Sequence, residues 1–155
     1  MKTKLTLIRI LGLSAVVLAF TFSACKKDAN GTLNITGKWG YQQFQGLIQY
    51  EFKNDNSVEY NIFAADSVTK KIIGYRFKTI GKYKIKNDSL IMFGLTNYAN
   101  PKNGFGPATE LIPVDGSSTV GYTISLNSQK NKLSLYFTCP FNASCVPSPM
   151  IFIRQ

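Results

Sequence analysis

Ile73-Gly74-Tyr75-Arg76-Phe77-Lys78-Thr79-Ile80-Gly81-Lys82-Tyr83-Lys84-Ile85-Lys86 is the stretch whose reading decides the fold. Ile73, Tyr75, Phe77, Thr79, Gly81, Tyr83 and Ile85 fall on one parity, and Arg76, Lys78, Lys82, Lys84 and Lys86 fall on the other. Successive side chains of a strand point to opposite faces, so this alternation marks a strand with one buried and one solvated face. The parity does not slip at Gly81. One long strand, bent at its glycine, therefore explains the stretch more simply than two short ones.

The same period of two extends in both directions. Upstream, a first strand opens at Gly37, and Ile48, Tyr50 and Phe52 alternate with polar partners. The turn-forming Asn54-Asp55-Asn56 then leads into Val58, Tyr60 and Ile62. Downstream, Asn87-Asp88 turns the chain into Leu90–Phe93, which is apolar on both faces. Tyr122, Ile124 and Leu126 are followed by a turn at Asn127–Asn131 and by Leu133, Leu135 and Phe137. A proline-rich segment leads to a last apolar strand, Met150–Ile153. Between them, Thr96 to Thr119 is rich in Asn, Gly and Pro and reads as one long loop, a kind that is usually functional or disordered. Helical periodicity is absent beyond the first two dozen or so residues. The expected fold is all-β, with eight antiparallel strands in succession, either an up-and-down barrel or a β-sandwich.

The N-terminus reads as an export signal. Lys2, Lys4 and Arg9 precede an apolar run from Ile10 to Phe22, and small residues follow. Arg9 and the polar Thr21-Phe22-Ser23 end leave that run short of the roughly 20 apolar residues of a membrane-spanning helix. Phe22-Ser23-Ala24-Cys25 resembles the lipobox of bacterial lipoproteins. The resemblance implies a signal peptide over 1–24, a lipid attached to Cys25, a tether over 25–36 and a globular domain over 37–155. It also implies a lipid-anchored protein of the bacterial cell envelope, with the outer membrane as the expected destination. Lys26-Lys27-Asp28 is similar to the charged sorting signals of some surface lipoproteins, and a plain solvated linker fits it equally. In an exported chain disulfides persist, so Cys139 and Cys145 are expected to be bonded. So short a ring removes about 2–3 kcal/mol of unfolded-state entropy.

Composition bounds the chemistry. Of 18 Lys and Arg the signal takes three, leaving 15 against 8 acids and a net charge of +7. No histidine is present, which removes the commonest general base and metal ligand. Asp55, Asp66, Asp88 and Asp115 sit beside turn signals, and Glu51 and Glu59 fall on the polar parity of neighbouring strands. Neither a glycosidase pair nor a calcium cluster is expected, and Gly104-Phe105-Gly106-Pro107 reads as a turn. The chain is therefore read as non-catalytic, without cofactor or metal. The basic row Arg76, Lys78, Lys82, Lys84 and Lys86, with Lys70 and Lys71 before it, could meet an anionic surface; more commonly such lysines keep a strand soluble. Nucleic acid is not an expected partner, because the aromatic residues occupy the opposite parity.

Gly37-Lys38-Trp39, Phe52 with a polar turn after it, Gly81-Lys82-Tyr83-Lys84-Ile85 and the terminal Phe152-Ile153-Arg154 resemble the bacterial lipocalin-like (calycin) lipoproteins. The resemblance implies a barrel whose closed end is plugged by Trp39, with Arg154 packed across the indole. It departs from the family in lacking the short C-terminal helix and the further loop motifs. A barrel of eight strands holds side chains or one small ligand. The residues expected to line it are Tyr41, Tyr50, Phe52, Tyr60, Tyr75, Phe77, Tyr83 and Tyr122, together with Trp39, Val58, Ile124, Leu133 and Leu135. Rings tipped with hydroxyls suit a small hydrophobic or amphiphilic ligand. Tyrosines that fill the barrel completely are the alternative. The protein would then be a surface or periplasmic interaction module for a protein or polysaccharide partner, an inhibitor included. Tyr98, Phe105, Leu111 and Ile112 make the Thr96–Thr119 loop the candidate lid.

Overall fold

The computed structural model describes residues 33–43, 46–69, 71–137 and 148–155. The expected signal segment, Cys25, most of the expected tether and the expected Cys139–Cys145 bond lie outside the described residues. The strands are β1 (Gly37–Gln43), β2 (Gly46–Phe52), β3 (Ser57–Ala65), β4 (Ile72–Lys86), β5 (Ser89–Ala99), β6 (Ile112–Val114), β7 (Thr119–Leu126), β8 (Lys132–Tyr136) and β9 (Met150–Arg154), with one 3-10 turn at Ala108–Glu110. All neighbours pair antiparallel. Eight strands close a ring: β4 meets β5, β5 meets β7, and β9 returns to β1 through Trp39↔Arg154 and Gly40↔Ile153. The short β6 lies outside the ring, against Asn97–Ala99 of β5. A sandwich leaves open edges, and this ring leaves none between β1 and β9.

Tight turns mark one end of the barrel. Asn56 and Asn87 adopt left-handed φ of 59° and 57° at the β2–β3 and β4–β5 turns, a conformation asparagine tolerates. Asp55 Oδ1 accepts the Ser57 N–H at 3.0 Å and fixes the first of these turns.

β4 is one unbroken strand of 15 residues, as its parity requires. Its bend has a partner on β5. The register passes from Lys82↔Phe93 to Ile80↔Thr96, so Gly94 and Leu95 together face Gly81, and Gly94 takes a φ of +60°. A side chain at position 81 would stand 2.6 Å from Leu95 Cδ2 and 2.9 Å from the Phe93 carbonyl, which explains the glycine. Nearer the other end the expected parity fails. The β3–β4 register moves from Ile62↔Phe77 to Phe63↔Tyr75 and again before Ile72, so Arg76 and Ile73 are inserted residues. Each insertion turns the chain over. Tyr75 thus lies on the outer wall, its ring 6.0 Å from Phe63, and not in the barrel as its parity with Phe77 suggests.

The long loop is also shorter and better fastened than its composition implies. β5 runs on to Ala99, and Ile112–Val114 pairs back onto it. The Tyr75 N–H donates to the Gly106 carbonyl (2.7 Å) and the Gly106 N–H to the Tyr75 carbonyl (3.1 Å). Gly46 and Gly74 provide the clearance for Phe105, since a Cβ on either would come within 3.0 Å of it. The part of the loop holding Phe105 therefore packs on the outer wall and is no lid.

The turn-bearing end is filled. Trp39, Phe52, Leu90, Ile124, Leu133 and Phe152 are fully buried there, with Ile35 capping them from the chain ahead of β1. Each contributes on the order of 1.5–3 kcal/mol of hydrophobic stabilisation. The Trp39 indole N–H donates to the Ile35 carbonyl at 2.7 Å. Arg154 Cζ lies 4.4 Å from the indole centroid, while Nη1 donates to the Thr36 carbonyl and Nε to the Lys130 carbonyl, both at 3.0 Å. One guanidinium thus ties β1, the β7–β8 turn and β9 together. Replacing Arg154 with alanine should lower the unfolding free energy by about 1–3 kcal/mol, given the size of a cation–π contact and of charged hydrogen bonds. Urea unfolding followed by Trp39 fluorescence measures it; an unchanged midpoint would mean the apolar neighbours alone hold the indole.

Candidate ligand cavity

The other half of the barrel is not filled. Here the inward positions carry Val58, Thr79 and Val120 between the larger rings, and the space left over forms a cavity of two lobes. The first, of about 260 Å³, lies between β3, β4, β5 and β7. The second, of about 550 Å³, lies towards β2, β8 and β9 and is walled by Ile48, Leu135, Met150 and Phe152. Tyr50, Tyr60, Tyr122 and Val120 border both lobes and form a waist between them. Sizes of this order accommodate a small ligand.

The waist is a cluster of phenols. Tyr50 and Tyr60 are cross-strand neighbours with ring centroids 4.8 Å apart, and Tyr50 meets Phe152 edge-on at 5.2 Å. Tyr60 in turn meets Phe77 at 6.1 Å. Tyr50 shares a hydrogen bond with Tyr122. Burial pushes the Tyr50 phenol well above its ordinary range, with Tyr122 and Tyr60 adding to the effect. Burial, aided by Tyr122, pushes Tyr60 up to about 12. These hydroxyls thus stay neutral at physiological pH.

The first lobe has a polar floor and rim. Thr79, only 8% exposed, donates from Oγ1 to Asn97 Oδ1 at 2.8 Å. Asp115, Gly116 and Ser117 border the opening, the only part of the long loop to do so. Gly116 permits the approach, because a Cβ there would stand 2.6 Å from Asn97 Nδ2. Hydroxyls, one amide and one carboxylate form an inventory for recognition. Among the described residues no group of three or more His, Cys, Asp or Glu side chains could hold a metal ion. A wider depression of about 1010 Å³ crosses the outer wall where Gly40 and Gly46 leave the sheet bare, with Lys38, Gln49 and Asp66 among its lining.

Of the eight aromatic residues expected to line the barrel, Tyr50, Tyr60, Phe77 and Tyr122 do line the cavity. Phe52 and Tyr83 instead pack together in the filled half, 5.0 Å apart, and the Tyr83 hydroxyl donates to the Lys53 carbonyl at 3.2 Å. Tyr41 rests against Phe152 at 5.7 Å, and Tyr75 is outside. Asn97 escapes a reading of alternation because the bulge at Gly94-Leu95 resets the parity just before it, and Asp115 and Ser117 because they belong to the connection between β6 and β7. Thr79 carries a signal: it is the one hydroxyl without a ring in the apolar row of β4.

The basic row of β4 lies on the outer wall and is partly engaged. Lys78 is 3.0 Å from Glu59, Lys82 is 3.5 Å from Asp55, and Lys84 stands 5.8 Å from the Phe93 ring centroid. Burial raises the Glu59 carboxyl, but its bonds to Asn61 and Lys78 outweigh this and hold it low. Hydrogen bonds from Ser57, with help from Lys82, hold Asp55 at about 2. Arg76 and Lys86 are exposed.

No protein-family model, curated protein or solved structure matches this chain.

The phenol cluster predicts alkaline behaviour. Folded-state values above the usual tyrosine value of about 10 favour the neutral native form. The stabilisation is complete below pH 10 and is lost as pH rises through about 12, the value for Tyr60. Phenolate absorbance should therefore show an early group of tyrosines and a late group that ionises together with unfolding, and Tyr60→Phe should remove one member of the late group. A single transition near 10 for all tyrosines would contradict a buried waist.

Proposed function

We propose that this protein is a lipid-anchored lipoprotein of the bacterial cell envelope, lipocalin-like, which binds a small hydrophobic or amphiphilic molecule in the open half of its barrel without catalysis. The two-lobed cavity with its tyrosine waist carries the reading. A domain built only to present a surface has no use for Tyr60 and Tyr122 lining a void, whereas a binder does. The closed-end pair, Trp39 and Arg154, supports the lipocalin-like assignment, since it is the contact that the resemblance implies. Acylation of Cys25 accounts for the lipobox-like Phe22-Ser23-Ala24-Cys25, with the outer membrane as destination.

Native mass spectrometry of the mature chain, with Cys25 replaced by serine and purified from its own host, tests this. The expected result is a reproducible small-molecule adduct that denaturation releases and that Val120→Trp, which fills the waist, abolishes. Bare protein that also gives no saturable heat on titration with octanol would overturn the reading in favour of the interaction module.

A further inference from the structure

The cavity holds a clue to the head group of its ligand. The mature chain is strongly basic, with 15 Lys and Arg against 8 acids. Neither lobe, however, has a lysine or arginine in its lining. The one charged side chain there is Asp115, at the mouth of the first lobe. Of the undescribed positions within the barrel's sequence, 44–45 and 138–147 contain no charged residue, and position 70 is a lysine.

Resting on the proposed binding function, we propose that the ligand is a cationic amphiphile. Its ammonium group sits in the first lobe between Asp115 and the rings of Tyr50, Tyr60, Phe77 and Tyr122, and its apolar body passes the waist into the second lobe. Three physical arguments converge. An ammonium group among several aromatic rings gains cation–π attraction, the interaction that recognises quaternary ammonium ligands elsewhere. Phenol and hydroxyl oxygens accept hydrogen bonds from an amine, and Asp115 supplies the opposite charge. A carboxylate ligand would meet the reverse situation. It would lose its water without gaining a cation and would lie near another carboxylate, whose like charge disfavours it. The second lobe, lined by Ile48, Leu135, Met150 and Phe152 beside the waist tyrosines, holds no charged side chain. Charge is thus confined to one lobe of the cavity, as it is to one end of an amphiphile.

The overall field makes the test sharp. A chain with net charge +7 after loss of the signal attracts anions non-specifically, so a preference for cations must come from the cavity. Isothermal titration of the mature chain with octyltrimethylammonium, octanol and octanoate, three ligands sharing one tail, separates the possibilities. We expect the ammonium ligand to bind at least about tenfold more tightly than octanoate, with octanol between them. Asp115→Asn, a change in an exposed loop, should erase most of the gap between ammonium and alcohol, with the loss falling on the ammonium ligand. Octanoate binding as tightly as the ammonium compound would overturn the head-group assignment and leave the binding function standing. A cation preference that survives Asp115→Asn would overturn the role of Asp115. Absence of binding by all three would overturn both the head-group assignment and the binding function.

Discussion

Closure of the ring at β1 and β9 is the constraint on which the rest of the structure depends. A single long β-meander leaves two edges, and here those edges are the first and last strands of the domain. They meet through only two registered positions, Trp39↔Arg154 and Gly40↔Ile153. So short a seam is reinforced by side chains. Arg154 lies over the indole and hydrogen-bonds to carbonyls of Thr36 and Lys130, so the seam, the entry segment and the β7–β8 turn are held by one residue. Gly40 adds to the fit, because a Cβ there would collide with Gln155 at 2.6 Å. Arginine suits the role better than lysine, since its planar guanidinium can stack and donate in two directions together.

Closing one end sets the conditions for the other. Trp39, Phe52, Leu133 and Phe152 fill the seam end and supply apolar burial that the open half forgoes. Voids lose dispersion contacts and are rarely retained without a use. The open half limits that loss with large rings. Its tyrosines lean on one another and satisfy part of their hydrogen bonding among themselves, which leaves a defined waist between two lobes. The same half bears the irregularities of the sheet: inserted Arg76 and Ile73 on β4, and Gly94 with Leu95 on β5. Bulges bend strands and re-aim side chains, and here they move Tyr75 out and let Asn97 in.

Much of this architecture is legible in the order of residues. The alternation through β4, the asparagine-rich turns and the placement of Trp39 and Arg154 lead to a closed eight-stranded barrel, and that barrel is what forms. Two things stay hidden, both for one reason. Period-two reading assumes that parity is conserved along a strand, and an inserted residue breaks it without any mark in composition. Alternation alone therefore puts Tyr75 on the wrong face, and composition alone makes Thr96–Ala99 a loop although it continues β5. Phe52 and Tyr83 show a different limit. They do point inwards, but parity says nothing about height along the barrel, and height separates the filled half from the hollow one. The polar rim at Asp115 to Ser117 depends on how a loop folds back, which no local pattern encodes.

The account's central claim is a barrel packed at the Trp39 end and hollow at the tyrosine end. Beyond Met1 the chain holds just two methionines, Met92 and Met150, and they line different lobes. Methyl-labelled methionine NMR of residues 33–155, recorded with the Trp39 indole N–H during titration with octanol, therefore reads both lobes and the plug in one experiment. The account predicts saturable shifts of both methyl signals with the indole unmoved. Methyl signals that stay in place, or an indole that moves with them, would contradict it.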